Sequence, residues 1–268
     1  MRRLALLLLP IALIGFATFG CGSGSGGGGG VTSPRGTGIV RMSLTDAPAD
    51  YDSIVLDIRE VAVHRDGPDD AGWSTVSTPD SMFDLLLLRN GVFTNMGSAV
   101  VPAAHYTQVR LILGGGSYVV VRGERHDLTV PSGLQTGLKL VGGFDVPDGG
   151  LVDVGIDFDA AQSVHATGNG KYMLKPTARV QVVATTGSIT GVVSPADSAS
   201  SVSAVRDSAT VASTVTGAGG AFTLALLPAG LYDVRIDAPG GLRDTTITGV
   251  SVTAGQAHDI GVVTLSPQ

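Results

Sequence analysis

Residues 151–159 read Leu151-Val-Asp-Val-Gly-Ile-Asp-Phe-Asp159. Successive side chains of an extended chain point to opposite faces. Val152, Val154, Ile156 and Phe158 therefore share one face, and Asp153, Gly155, Asp157 and Asp159 share the other. An apolar face backed by a polar one is the mark of a strand that covers a core on one side only. The same alternation recurs at Phe222, Leu224 and Leu226, and again at Tyr232, Val234 and Ile236. Ile54, Leu56 and Ile58 also alternate, but Val61 and Val63 follow with the opposite parity. A one-residue slip of that kind predicts a β-bulge near Arg59–Glu60.

No window carries a long stripe at helical spacing; 81–89 and 160–164 have room for a turn or two of helix. Gly, Pro, Asp and Ser punctuate short apolar runs from Thr37 onward. The fold class expected is all-β, as two tandem β-sandwiches behind a leader and a Gly/Ser linker. Residues 37–185 have length for roughly eight to ten strands and 187–268 for about seven, at the usual strand-plus-turn spacing. Residues 172–183 read as one long strand, and the boundary between the bodies falls near 185–188.

Composition narrows the function. The chain has 268 residues, 17 basic and 23 acidic, for a formal charge of −6. With no basic surplus, nucleic acid is not an expected partner. A single cysteine, Cys21, cannot close an internal disulfide, build a zinc knuckle or hold an iron–sulfur cluster.

The N-terminus reads as an address. Arg2 and Arg3 precede an apolar run from Leu4 to Ile14, with small and apolar residues up to Gly20. That order is that of a secretory signal. With Gly20 directly before Cys21, residues 1–20 resemble a bacterial lipoprotein signal, although Thr18 and Phe19 differ from the usual motif. The resemblance implies cleavage before Cys21 and a covalent lipid, such as palmitate, on its thiol. Gly22 rather than Asp after the cysteine implies the outer membrane in a host with two membranes. The alternatives are an uncleaved membrane anchor or an ordinary signal. Residues 21–36 then form a lipidated linker, whose Gly22–Gly30 Gly/Ser tract offers no side chain for a core. Loss of Arg2 and Arg3 leaves 15 basic and 23 acidic residues. Anionic lipid would not attract such a surface, so the acyl chains must hold it.

Two further resemblances concern the folded part. Gly187-Ser-Ile-Thr-Gly-Val-Val193, Thr216-Gly-Ala-Gly-Gly-Ala-Phe-Thr-Leu224, Leu227-Pro-Ala-Gly-Leu-Tyr-Asp-Val234 and Gly249-Val-Ser-Val-Thr-Ala-Gly255 follow in order. Residues 187–268 resemble the carboxypeptidase regulatory-like domain, which implies a transthyretin-like, seven-stranded, Ig-like sandwich. Earlier come Ser43-Leu-Thr-Asp-Ala-Pro-Ala-Asp-Tyr-Asp52, Asp84-Leu-Leu-Leu-Leu88, Tyr106-Thr-Gln-Val-Arg-Leu111 and Gly170-Lys-Tyr-Met-Leu-Lys-Pro176. These resemble the domain-of-unknown-function family 4382 over residues 37–183, a family with no assigned chemistry. Pro102-Ala-Ala-His-Tyr106 and Pro228-Ala-Gly-Leu-Tyr232 echo one another in spacing. That echo favours related sandwiches in the two bodies.

Catalytic motifs do not appear. There is no phosphate-binding Gly-x-x-x-x-Gly-Lys-Ser/Thr, no Gly-x-Ser-x-Gly elbow and no His-Glu-x-x-His. The His-x-x-Glu zinc pair of metallocarboxypeptidases is missing too. The five histidines show no metal-ligand spacing, and nothing in the sequence brings His64, His105 and His126 together.

Two candidate sites remain. Asp153, Asp157 and Asp159, with Asp145 and Asp148 just before, could contribute oxygens to calcium. Otherwise they are a solvated face or pair with Lys139, Lys175 or Arg110. Trp73, beside Asp69 and Asp70, could stack on a sugar, and Trp73, Asp157 and Asp159 are the candidate ligand contacts; otherwise Trp73 anchors a core or a sheet edge. The expectation is a non-enzymatic, lipid-anchored cell-envelope protein with a structural or interaction role. Its expected partners are the membrane and an envelope protein or glycan. The alternative is an extracytoplasmic module binding polysaccharide or calcium through loops of the first sandwich.

Overall fold

The alternation at 151–159 becomes a strand in the interior of a four-stranded sheet. The structure, a computed structural model, describes residues 36–67, 72–131, 137–196 and 199–268, all within one compact unit. The expected signal, Cys21 and the linker up to Arg35 lie outside the described residues.

Thirteen described strands form the first body: β1 (Thr37–Ala47), β2 (Ser53–Arg65), β3 (Trp73–Ser77), β4 (Ser81–Asp84), β5 (Thr94–Pro102), β6 (Ala104–Leu113), β7 (Tyr118–Val121), β8 (Glu124–Thr129), β9 (Leu138–Val146), β10 (Leu151–Asp159), β11 (Val164–Thr167), β12 (Lys171–Leu174) and β13 (Ala178–Val182). A single helical turn, α1 (Ala160–Ser163), follows β10, and a 3-10 turn occupies Leu85–Leu88. The four-stranded sheet has the order β13-β10-β1-β5. The nine-stranded one runs β11-β12-β8-β7-β2-β6-β9, with β3 and β4 also on β2. Val40, Met42 and Leu44 of β1 and the apolar face of β10 join Ile54, Leu56, Tyr106 and Leu111 in one core. The parity change in β2 is a register shift between Ile58 and Glu60, where sequence placed the bulge.

The second body has seven strands: β14 (Thr186–Ser194), β15 (Ser201–Arg206), β16 (Ala209–Val215), β17 (Ala221–Pro228), β18 (Gly230–Asp237), β19 (Thr245–Val252) and β20 (Ala257–Thr264). Its sheets, β17-β14-β20 and β16-β15-β18-β19, enclose a separate core around Ile189, Phe222, Leu224, Tyr232 and Ile236.

The two bodies share one topology. β1 pairs β10 in parallel and β5 antiparallel; β14 pairs β20 in parallel and β17 antiparallel. In the opposing sheets β2 lies between β6 and the β3/β4 edge as β15 lies between β18 and β16, and β9 follows β6 as β19 follows β18. The echoed Pro-x-x-x-Tyr segments occupy the same corner in each. Tyr106 Oη donates to the Pro102 carbonyl at 2.9 Å, and Tyr232 Oη to the Pro228 carbonyl at 2.7 Å. Both rings are buried, so each ring fills its core while its hydroxyl ties the incoming strand.

Sequence undercounts the first body because it merges and omits short strands. The hairpins β7–β8 and β11–β12 extend one sheet beyond the shared plan. Residues 172–183 are not one strand. The chain leaves the nine-stranded sheet after Leu174 and joins the four-stranded one at Ala178. Pro176 stands in the break, where it has no N–H to give a ladder.

Candidate functional site

The polar face of β10 looks away from the core, and its register with β1 and β13 decides its partners. Asp153 lies opposite Arg41 and Asp157 opposite Arg179. The Arg41 guanidinium grips Asp153 with Nε and Nη2, the latter at 2.7 Å from Oδ2. Arg179 Nη2 donates to Asp157 Oδ2. Lys139, Lys175 and Arg110, the partners expected from sequence, are not the ones used. Lys139 and Arg110 belong to the other sheet, and Lys175 stands beside the Pro176 break. Asp159 Oδ1 accepts from the Gln162 N–H at 2.9 Å and so caps α1.

The second body docks on this same face. Gly155, between the two ion pairs, leaves a gap in the side-chain layer that Leu226 of β17 enters. A Cβ added to Gly155 would lie 2.7 Å from Leu226 Cδ1. β17 reaches in because it carries an extra residue relative to β14, with Leu226 at φ +52. Leu226 is buried, yet its carbonyl still accepts from Arg179 Nη1 at 3.3 Å. Arg179 therefore holds Asp157 with one nitrogen and the neighbouring body with another.

A second clamp comes from Asn90 and Gly91, at φ +60 and +75 in a turn closed by Val92 N–H to the Arg89 carbonyl. These are the backbone values of a type I′ turn, which Asn-Gly suits best. The Asn90 amide faces β17, an edge strand of its sheet. Its Oδ1 accepts from the Thr223 N–H, and its Nδ2 donates to the Ala221 carbonyl at 3.3 Å. One side-chain amide thus satisfies two backbone groups of that edge as a paired strand would.

Between the docked faces lies a cleft of about 510 Å³. Asp157, Asp159 and Arg179 line one wall, and Ser201, Ser203 and Ser213 the other. Hydroxyls that donate and accept, acceptor carboxylates and a guanidinium donor suit a neutral, polar, many-hydroxyl ligand. Burial lifts the Asp157 carboxyl above its ordinary range, with Arg179 opposing. Behind the sheet Asp46 is pushed up to about 9, chiefly by burial and also by the charges of Asp157 and Asp159. The N–H of Ala160, 3.1 Å from Asp46 Oδ1, opposes that rise.

Of the residues singled out in sequence, Asp157 and Asp159 meet in the cleft, on a strand and not in end loops. Asp153 stands four residues, about 13 Å, back along β10 and is held by Arg41. Among the described residues no three His, Cys, Asp or Glu side chains gather as a metal-holding group. Trp73 is on the outward side of the nine-stranded sheet, with the sandwich core between it and the aspartates. The Arg110 guanidinium lies 3.6 Å over its ring and His64 packs against it, tilted, at 4.8 Å between centroids, so the indole already has partners. His64, His105 and His126 are apart: His105 Nδ1 contacts Asp145 at 2.8 Å, and His126 packs on Tyr172. Arg41, Arg179 and Asn90 were not singled out as site residues, and Leu226, expected on one face with Phe222 and Leu224, is turned by the bulge out of their core and onto Gly155. The doubled apolar Leu226-Leu227, which breaks the alternation, is the signal that could have shown this.

These features define a tandem β-sandwich protein whose halves are joined side chain to strand edge. Residues 37–176 match the family described as Domain of unknown function (DUF4382), and the chain belongs to that family. No curated protein matches it. Among solved structures it is similar to the TIE protein of Bacillus anthracis, at 10% identity over 85% of this chain, with a TM-score of 0.26. It spans only 34% of that protein. The minor pilin GBS52 of Streptococcus agalactiae is 9% identical, with 85% of this chain and 96% of that one covered and a TM-score of 0.23. BcpA, the major pilin subunit of Bacillus cereus, is 12% identical over 87% of this chain and 71% of its own, with a TM-score of 0.19.

Proposed function

We propose that the chain is a non-catalytic, lipid-anchored protein of the bacterial cell envelope with a structural or interaction role. The Arg2-Arg3 and apolar leader, Gly20-Cys21 and the Gly/Ser tract support the anchor. The likeness of residues 187–268 to the carboxypeptidase regulatory-like domain supports a second module. The observation that carries the structural role is the double clamp. Asn90 on the β17 edge and Leu226 over Gly155 make two sandwiches into one stiff body. Labelled palmitate fed to cells should enter the wild-type protein and be absent from Cys21→Ser. Equal label in both would remove the anchor.

A second reading is favoured by the cleft: a binding module for polysaccharide, with Asp157, Asp159 and the facing serines as its contacts. A glycan array should then show binding that Asp159→Ala abolishes. Calcium at this wall would have to displace the Arg179 contact, and calorimetry at millimolar calcium would show heat that Asp157→Asn removes.

A further inference from the structure

On the outward face of the four-stranded sheet, at the end where β1 begins, three branched aliphatic side chains stand in one row. Ile39 of β1 is in register with Val100 of β5 on one side and Leu151 of β10 on the other. They are 42%, 68% and 51% exposed. The next row is the Arg41–Asp153 ion pair, and beyond it Leu226 covers Gly155. Exposed aliphatics are ordinary when scattered, but adjacent ones facing one way mark a contact surface.

Position in the chain indicates what covers it. Ile39 is eighteen residues after Cys21. Eighteen residues of chain reach no further than about 60 Å. A tether so short keeps the sheet end at an effective concentration in the millimolar range, so even a weak contact with the tethering surface is populated. We propose that the Val100–Ile39–Leu151 row rests on the bilayer that holds the acyl chains, and so fixes which way the double sandwich points. This inference rests on the anchor reading above. Asp148 beside Gly36 and Asp145 on His105 put acids at the same end, so a bilayer without net charge suits this contact better than an anionic one.

The test uses the full acylated protein on phosphatidylcholine vesicles. Ser98→Cys, exposed two residues from Val100, takes a nitroxide label, since the Cys21 thiol is blocked by lipid. Mass spectrometry first confirms acylation; a free Cys21 thiol would overturn the anchor, and this inference with it. On vesicles the label should be shielded from a water-soluble nickel quencher, relative to the soluble Cys21→Ser chain labelled only at position 98 after its leader is removed. Shielding should be lost in the triple variant Ile39→Ser, Val100→Ser, Leu151→Ser. Acylated protein whose label stays as accessible as in the soluble form, or is shielded equally in the triple variant, overturns the bilayer contact alone. So does a dimer of the soluble form, seen by sedimentation, that the triple variant dissolves, since a second copy would then be the occupant.

Discussion

Asp46 is a carboxyl in an apolar layer. It follows Val40, Met42 and Leu44 on the core side of β1, is 4% exposed, and its Oδ2 has no hydrogen-bond partner among the described residues. Its folded pKa of about 9 lies far above the unfolded carboxylate value near 4, so the folded state binds a proton that the unfolded state releases. Stability is then greatest below about pH 4 and declines as pH rises toward 9, the reverse of a salt-bridged carboxylate. At pH 7 the cost of keeping that proton is on the order of 4 kcal/mol. Asp46→Asn keeps the acceptor for Ala160 without the ionisation and should stabilise by a few kcal/mol at pH 7 and hardly at pH 4. Urea denaturation at the two pH values checks this; an equal effect at both would contradict it. The strand parity that places Asp46 inside is visible in sequence, but an acid there reads as surface until the core-side register of Phe158 is known. The aspartates of β10 show the same limit. Their face was legible; their partners were not, because Arg41 and Arg179 are more than a hundred and more than twenty residues away and meet them only through the sheet order.

Strands were the most legible level. Alternation found β10, β17 and β18, and the parity change found the bulge in β2. The echoed Pro-x-x-x-Tyr pair located the same corner in both sandwiches. What failed was local punctuation by tertiary structure: β12 and β13 read as one run because only the switch of sheet at Pro176 separates them. The docking contact was illegible for a related reason. Gly155 reads only as a member of the polar face of β10, and its use emerges only when Leu226 occupies the space a Cβ would take. Gly155→Val should therefore destabilise by about 1–3 kcal/mol through overpacking. Leu226→Ala should cost a similar amount through lost burial. The double variant should lose less than the sum, because the added methyls refill the space the leucine leaves. A double-mutant cycle by denaturation measures that coupling, and strict additivity would mean that the two residues do not share the contact.

At the scale of the whole molecule, two cores that could each melt alone are joined by few contacts, so cooperativity depends on what those contacts contribute. The Asn90 amide is decisive because it completes the free edge of β17, a strand that also forms a wall of the second core. Without it the Thr223 N–H at a partly buried edge loses its partner, costing roughly 1–3 kcal/mol, while the Ala221 carbonyl keeps the Gly217 N–H at 2.7 Å. The cost falls on the junction and not on either core. Asn90→Gly isolates this term, since glycine accepts the φ of +60 as readily as asparagine. Soluble Cys21→Ser protein, its leader removed, should melt in one calorimetric transition whose van't Hoff and calorimetric enthalpies agree. With Asn90→Gly added, the transition should broaden or split into two, and hydrogen exchange should quicken at Ala221–Thr223 first. The Tyr232 corner lies at the far end of β17, tied within its own sandwich to Pro228, and should keep its protection. If the Asn90→Gly protein still melts in one equally sharp transition, the halves are coupled through their other contacts, Leu226 and Arg179 among them. The stiffness on which the structural role depends would then reside in the sheet face and not in the strand edge.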